Sequence, residues 1–363
     1  MSAASQTTQQ PLFSIVMPTY GVERYIADAI ADILTQTFRD FELIVVDDCT
    51  PDRSIDVVRA VADGDPRVRI VHHEINRGLS AARNTGIEQA RGLWVLFPDP
   101  DDRYDTSMLE RIHSALEQPT DLVVFGHVQE YYAADGSFLY DNTIPMPETL
   151  CQQGPDLARL ALELEQLTHL GYAWNKAYRL ERIKTSGLAF EDNVPLIEDI
   201  LFNVAYLRTV EAVTTMPDVL YRYAKRLGTN LTNDFIPNYF ELHHRRIAEI
   251  RDFVDERNAL DNEAKALLGG LYARFIMSSI EQNTNPRSGM NHESRIAWLE
   301  RLYQEPLFNE LVTYAQAQDS TSLSICIQLL NDHNTPALLA LGRIIHVVRT
   351  RNTTLYTKVK SHR

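Results

Sequence analysis

The order of apolar and amphipathic segments between residues 13 and 125 constrains the fold most strongly. Short apolar runs alternate with segments in which apolar residues recur at helical spacing, as Ile26, Ile30 and Ile33 do. This order is typical of a parallel sheet whose strands are joined by crossover helices. We therefore predict an α/β domain with a mostly parallel central sheet. Its first strands are expected at residues 13–17, 42–47, 68–72, 93–97 and 122–125.

The pattern changes after residue 125. Residues 128–132 and 138–140 flank an Ala-Ala-Asp-Gly turn, which predicts a hairpin, and helical spacing returns at residues 155–169. From residue 237 onward the pattern is helical only. The helices predicted there are residues 239–259, 261–282, 292–303 and 336–350.

A chain of 363 residues exceeds the usual size of a single hydrophobic core, so the sequence favours two domains. We predict a disordered N-terminus at residues 1–11, the α/β domain at residues 12–234, and a helical C-terminal domain at residues 235–363.

Charge and cysteine content argue against several classes of protein. The formal net charge of −14 disfavours nucleic acid as a partner. Cys49, Cys151 and Cys326 lie far apart without a CxxC spacing, which argues against a zinc or dithiol site and fits a reducing compartment. The first ten residues lack the basic and apolar regions of a secretion signal, and no segment approaches the roughly 20 apolar residues of a membrane span. We expect a cytoplasmic protein.

Carboxylates follow the fourth predicted strand, at the edge of the sheet where ligands of open α/β folds bind. Asp99, Asp101 and Asp102 lie within four positions. Such crowding is unfavourable unless a cation or hydrogen-bond donors compensate it, and Mg²⁺ or Mn²⁺ prefers oxygen ligands of this kind. The alternative is a solvated acidic turn that caps the next helix.

Three other loops reach the same predicted edge. Asp48 ends the second strand, where it either faces a ligand or caps a helix, and Tyr20 follows the first strand with a ring that can stack on a base. The first loop lacks GxGxxG and GxxxxGK[ST], which weakens the dehydrogenase and P-loop interpretations. Arg77 and Arg83 follow the third strand, and their planar guanidinium groups suit phosphate.

Together these segments resemble the inverting family 2 glycosyltransferases of bacterial surface-polysaccharide synthesis, which have the GT-A fold and use nucleotide-diphosphate sugars. The resemblance covers residues 12–225. The matching segments are Ser-Ile-Val-Met-Pro-Thr-Tyr at 14–20, Gln-Thr-Phe at 36–38, Phe-Glu-Leu-Ile-Val-Val-Asp-Asp at 41–48, residues 76–86, and Asp-Pro-Asp-Asp at 99–102.

The resemblance implies a role for each matching position on the donor side. Tyr20 and Asp48 match the contacts to the nucleoside, Pro18 lies in the same substrate-binding block, and Arg83 matches an arginine beside the donor. In the DxD motif, Asp99 matches the carboxylate near the ribose or metal and Asp101 the ligand of the metal that bridges the diphosphate. Asp102 matches an acidic position close to the donor sugar. The matching positions on the donor side are Pro18, Tyr20, Asp48, Arg83, Asp99, Asp101 and Asp102.

Two later segments resemble the acceptor side of bacterial members, namely residues 174–179 and 196–202. They imply that Trp174 and Glu198 contact substrate and that Asp199 is the general base. A helix that starts immediately after Asp199 would place its carboxylate near the positive end of the helix dipole. A simple helix cap would explain Asp199 equally well by itself.

The resemblance thus implies an inverting hexosyl- or N-acetylhexosaminyltransferase. It would transfer a sugar from a nucleotide-diphosphate sugar, a UDP-sugar by preference, with Mn²⁺ or Mg²⁺ as cofactor. The expected acceptor is a bacterial surface glycan, a lipid-linked oligosaccharide or a polyol phosphate. The alternatives are a catalytically silent nucleotide-sugar-binding or scaffold protein and a sugar nucleotidyltransferase.

The C-terminal tail differs in charge from the rest of the chain. Between Arg343 and Arg363 there are six basic residues and no acidic ones. With the apolar segment at 338–348, this favours contact with an anionic membrane surface at the inner face of the plasma membrane, or with an anionic glycan. The alternative is a solvated helix end. The helical domain is also a candidate for a homo-oligomer interface, whereas the adjacent His243 and His244 point in different directions and do not suggest a metal site.

Overall fold

The computed structural model describes residues 10–144, 146–226, 235–317 and 320–351. The chain divides into two compact units, Met1–Asn230 and Leu231–Arg363. The domain boundary predicted at Asp234 lies outside the described residues, as do most of the N-terminus predicted to be disordered and the tail beyond residue 351.

The first unit contains a ten-stranded sheet flanked by helices. Its strands are β1 (Phe13–Thr19), β2 (Phe41–Asp47), β3 (Val68–His72), β4 (Trp94–Leu96), β5 (Arg103–Tyr104), β6 (Leu122–Tyr132), β7 (Phe138–Ile144), β8 (Thr149–Cys151), β9 (Lys176–Arg179) and β10 (Val213–Arg226). Its helices are α1 (Ile26–Leu34), α2 (Ser54–Ala62), α3 (Leu79–Gln89), α4 (Met108–Ala115), α5 (Pro155–Gln166), α6 (Leu180–Thr185) and α7 (Glu198–Leu207).

The strand order is β3-β2-β1-β4-β9-β6-β10-β5, with β7 added to β6 and β8 to β10. Strands β1 to β4 pair in parallel, and β6 pairs in parallel with β10. Strand β9 is antiparallel to both β4 and β6, so all five strands predicted first run in the same direction. The two runs predicted at 122–125 and 128–132 form one continuous strand, β6, because the chain stays extended through Gly126 and His127.

Strand β1 is buried over its whole length, as expected for a central strand covered on both faces. Ser14, a polar residue near the start of β1, has a hydrogen-bond partner there, because its hydroxyl donates to the buried carboxylate of Glu42 at 2.6 Å. The same carboxylate accepts from the backbone N–H of Arg91 at 2.8 Å. A buried strand can therefore carry polar residues when a neighbouring strand supplies the partner.

Helix α3 packs closely on β1 at Gly86. A Cβ at this position would lie 2.1 Å from Cγ1 of Val16, which is closer than two carbon atoms can approach. Glycine at residue 86 thus sets the distance between the sheet and the helix that carries Arg83.

All regular secondary structure in the described residues of the second unit is helical. His243 is a core residue, since its ring stacks on Phe275 at 3.9 Å and burial lowers its pKa to about 3. None of the described helices is long and apolar enough to cross a bilayer. The helices are α8 (Tyr239–Glu256), α9 (Asn262–Gln282), α10 (His292–Leu302), α11 (Pro306–Leu311), α12 (Thr321–Asn331) and α13 (Thr335–Arg351).

Candidate active site

The loop after β4 that contains Asp99, Asp101 and Asp102, here called the acidic loop, is bound to β10 through Asp102. Asp102 is buried and accepts hydrogen bonds from the Tyr221 hydroxyl at 2.7 Å and from the Ala224 N–H at 2.8 Å. Burial raises the pKa of Asp102 well above its ordinary value, and the neighbouring Asp101 and Asp99 raise it further. The two hydrogen bonds oppose this rise. Asp102 thus lies against the protein interior and holds the shape of the loop.

The other two carboxylates of this loop remain accessible, with 26% of the Asp99 side chain and 39% of the Asp101 side chain exposed. Asp101 pairs with the guanidinium of Arg226 at 2.8 Å. Burial raises the pKa of Asp99 to about 7; Arg83 opposes this rise, and Asp101 and Asp199 add to it. Negative charge is therefore crowded at this edge of the sheet.

Arg83 joins this loop to the start of α7. Its side chain is 1% exposed, and its two terminal nitrogens donate to Asp199 and, at 3.3 Å, to Asp99. Its guanidinium also lies 5.0 Å from the ring centroid of Phe190. Although burial opposes it, the carboxylates of Asp199 and Asp99 raise the pKa of Arg83 above its usual range. One buried cation thus holds two carboxylates from distant parts of the chain in one place.

Asp199 and Glu198 form the first turn of α7. The second oxygen of Asp199 accepts from the Ala173 N–H at 2.9 Å. Both carboxylates lie at the positive end of the helix dipole, which favours negative charge there. Burial and the neighbouring Asp199 raise the pKa of Glu198 to about 7, and Arg83 opposes this rise. One carboxyl oxygen of Glu198 has no hydrogen-bond partner among the described residues.

Trp174 is buried in an aromatic cluster. Its ring stacks on Tyr221 at 4.2 Å and on Tyr172 at 4.5 Å. Because Tyr221 also holds Asp102, Trp174 supports the acidic loop through ring packing.

The predicted nucleoside contacts lie at the ends of β1 and β2, which are paired in register. Tyr20 is 51% exposed, whereas Pro18 and Asp48 are buried. The Asp48 carboxylate contacts His73 at 2.7 Å and accepts from the N–H groups of Arg77 and Gly78 at 2.8 Å each. Asp48 therefore fixes the start of α3, the helix that carries Arg83, and is connected to the group of Arg83, Asp99 and Asp199 through that helix.

Sequence reasoning missed a buried lysine beneath this group. The ammonium of Lys176 donates to the carbonyl oxygens of His169 at 2.6 Å and Tyr172 at 2.5 Å, and to the Asn175 side chain at 2.8 Å. Burial lowers its pKa to about 7. These bonds hold the loop that presents the Ala173 N–H to Asp199. A lysine is usually exposed, so the sequence alone gave no indication that Lys176 is buried and supports this loop.

The two exposed carboxylates fit a divalent cation. Asp99 and Asp101 supply the oxygen atoms that Mg²⁺ and Mn²⁺ prefer, and a cation would offset both the burial and the neighbouring carboxylates that raise the pKa of Asp99. Within the described ranges, no group of three or more histidine, cysteine or carboxylate side chains is arranged to hold a metal ion. Such a cation would thus need further ligands from substrate or water, as is usual for Mg²⁺.

Comparisons with known proteins show a family and a fold to which the chain is similar. Residues 14–184 match the model of the family described as "Glycosyl transferase family 2". The chain is 34% identical over 214 residues to the uncharacterized glycosyltransferase EpsJ of Bacillus subtilis, a match that covers 59% of this chain and 61% of that relative. The chain thus spans about three-fifths of the length of this relative.

Two solved structures resemble the fold. S. aureus TarS 1–349 in complex with UDP-GlcNAc has a TM-score of 0.62 at 20% identity, over 93% of this chain and 91% of that chain. The mannosyltransferase PcManGT from Pyrobaculum calidifontis, in complex with GDP-Man and Mn²⁺, has a TM-score of 0.50 at 15% identity, over 94% and 88%. These likenesses confirm the predicted fold class, a GT-A domain followed by a helical region.

Proposed function

We propose that the chain is an inverting glycosyltransferase that uses a UDP-sugar, because residues 14–184 match the model of glycosyl transferase family 2. The acceptor is a hydroxyl of a bacterial surface glycan or of its precursor. The observation that carries this proposal is the Arg83 bridge, because it holds Asp199 beside the Asp99 loop. The UDP-GlcNAc bound in TarS supports the choice of donor.

In this proposal Asp199 is the general base. The Ala173 N–H and the Arg83 guanidinium fix its carboxylate, and the start of α7 favours its charged form. Asp199 accepts the proton of the acceptor hydroxyl while that oxygen attacks the anomeric carbon from the face opposite the diphosphate. An α-linked donor would therefore give a β-linked product.

Asp101 would hold the divalent cation, Mn²⁺ or Mg²⁺, with Asp99 beside it. When bound, the cation would neutralise the charge that develops on the leaving diphosphate. The Mn²⁺ in the PcManGT complex supports this assignment. Arg226 now pairs with Asp101, so this ion pair would have to open for a cation to bind Asp101.

For the remaining predicted residues we propose the roles that the sequence suggested, around the donor and the acceptor. Tyr20 stacks on the base, with Pro18 and Asp48 shaping the nucleoside end, and Asp102 fixes the loop beside the sugar. Trp174 and Glu198 belong to the acceptor side. These residues are Pro18, Tyr20, Asp48, Asp102, Trp174 and Glu198.

We assign the nucleotide-sugar site to residues 12–234. The helical domain at residues 235–363 would carry homo-oligomer contacts and, through its basic tail, peripheral contact with the inner face of the plasma membrane. Co-sedimentation with anionic and with neutral vesicles tests the tail, because equal partitioning would contradict an electrostatic contact.

A donor screen that measures UDP release, with Mn²⁺ present and absent, tests the reaction class. We expect release of UDP from at least one UDP-sugar, dependence on Mn²⁺, and a loss of at least about a hundredfold in the folded Asp101→Ala variant. Binding of UDP-sugar without turnover under any acceptor would instead identify a silent binding protein. Release of pyrophosphate from UTP would identify a nucleotidyltransferase.

A further inference from the structure

A row of aromatic side chains leads away from the candidate active site along one face of the sheet. Trp174 lies 5.4 Å from Tyr223, between ring centroids, and Tyr172 lies 5.8 Å from the same ring. Farther out, Tyr131 stacks on Tyr140 at 4.5 Å, with an angle of 16° between the rings. We call Tyr172, Tyr223, Tyr131 and Tyr140 the aromatic row.

Strand pairing shows that the outer members share one face. Lys225 of β10 is opposite Tyr131 of β6, and Tyr131 is opposite Tyr140 of β7. Directly opposed residues point to the same side of a sheet. The Lys225 ammonium lies 5.4 Å from the ring centroid of Tyr131 and 5.5 Å from that of Tyr223, so it connects the inner and outer rings.

The inner end of the row meets the groups proposed for catalysis. Trp174 follows Ala173, whose N–H holds Asp199, and it stacks on Tyr221, whose hydroxyl holds Asp102. Accessibility rises outward, from the buried Trp174 through half-buried tyrosines to Tyr140, which is 37% exposed on β7. The row is therefore an open surface at its outer end and continuous with the site at its inner end.

The chemistry of this surface suits a carbohydrate. Flat rings match the C–H faces of pyranose sugars, and the hydroxyl edges of those sugars need polar partners nearby. The Tyr131 hydroxyl and the Lys225 ammonium provide them, and both are held by the buried Gln129, whose side-chain oxygen accepts from Lys225 at 2.8 Å and from the Tyr131 hydroxyl at 3.1 Å. Lys225 adds a positive charge that suits a carboxylate or phosphate on the chain.

We propose that the aromatic row binds the acceptor, a carbohydrate chain that lies along the accessible parts of Tyr223, Tyr131 and Tyr140 as its end approaches Asp199. This inference rests on the proposed function, because it names the acceptor subsite of the same centre. A surface that extends over four rings recognises several sugars of a chain rather than a single sugar.

The test uses the full chain and an array of immobilised capsular, lipopolysaccharide-core and teichoic-acid oligosaccharides, with UDP and Mn²⁺ present. We expect binding to at least one oligosaccharide, and binding at least about fivefold weaker in Tyr140→Ala and in Tyr131→Leu. Leucine at residue 131 keeps an apolar side chain in the strand while removing the flat ring. The control is Phe138→Ala. Phe138 lies in β7, as Tyr140 does, and is 54% exposed, but its ring contacts Tyr132 rather than Tyr131.

Three results would overturn the inference. The first is that the wild type binds no oligosaccharide although calorimetry shows that it binds UDP. The second is that the tyrosine variants bind like Phe138→Ala. The third is that Tyr140→Ala converts a dimer into a monomer by light scattering while glycan binding is unchanged, which would make the row a contact between copies of the chain. Hydrolysis of UDP-sugar without acceptor is measured in parallel, so a failure of the proposed function is seen separately.

Discussion

Glu198 gives a quantitative test of the electrostatics at the start of α7. Burial raises its pKa from 4.5 to about 7. Between these two pH values the folded state holds a proton that the unfolded state has lost, so stability falls as the pH rises. At about 1.4 kcal/mol per pH unit, the whole shift costs about 3 kcal/mol, and this cost is complete above pH 7.

The Glu198→Gln variant removes this titration while keeping the size and polarity of the side chain. We expect wild type and variant to have similar free energies of unfolding near pH 4.5, and the variant to be more stable by about 3 kcal/mol at pH 8. Urea denaturation of both proteins across this pH range measures the difference. The exposed Glu181 of α6 supplies the control, since Glu181→Gln removes one carboxylate from the surface rather than from the start of α7. Parallel stability curves for wild type and Glu198→Gln would refute the argument that Glu198 carries the proton.

Two further substitutions test the base and the packing of α3. Asp199→Asn keeps the size of the side chain and one acceptor oxygen, for either Arg83 or the Ala173 N–H, but removes the base, so turnover should fall at least about a hundredfold with normal near-ultraviolet circular dichroism. Near-normal turnover would remove the base assignment. Gly86→Ala places a methyl group against Val16 and should lower the free energy of unfolding by about 1–3 kcal/mol, measured by urea denaturation. An unchanged denaturation midpoint would mean that α3 moves away from β1 without cost.

Periodicity predicted the elements whose burial follows a simple pattern. The five strands predicted first are present because apolar runs of that length have to be buried in the sheet. Strand β9 was not predicted because it begins and ends with a charged residue, Lys176 and Arg179, which interrupts the apolar pattern. Lys176 is nevertheless buried, and its ammonium donates to three acceptors. Helix α5 ends at Gln166 rather than at residue 169, since Thr168 adopts a left-handed backbone conformation with φ of 63°.

The candidate site was predictable as a set of residue types but not as a set of contacts. The segments that contain Arg83 and Asp199 were both selected, yet their ion pair joins residues 116 positions apart, and spacing alone cannot show which loops meet. Nor could spacing tell that Asp102 faces inward while Asp99 and Asp101 stay accessible, because this depends on the hydroxyl of Tyr221 from β10. The sequence identified the chemical groups, and tertiary structure decides their orientation.

Tyr221 contacts both the acidic loop and the aromatic side chains around Trp174. Its hydroxyl secures the acidic loop through Asp102, and its ring lies flat against Trp174 at the root of the aromatic row. Natural or laboratory evolution therefore cannot remodel Tyr221 for a new acceptor without disturbing the donor loop as well. Substitution of Tyr131 or Tyr140, at the rim of the hairpin, would leave the contacts of Tyr221 with Asp102 and Trp174 in place.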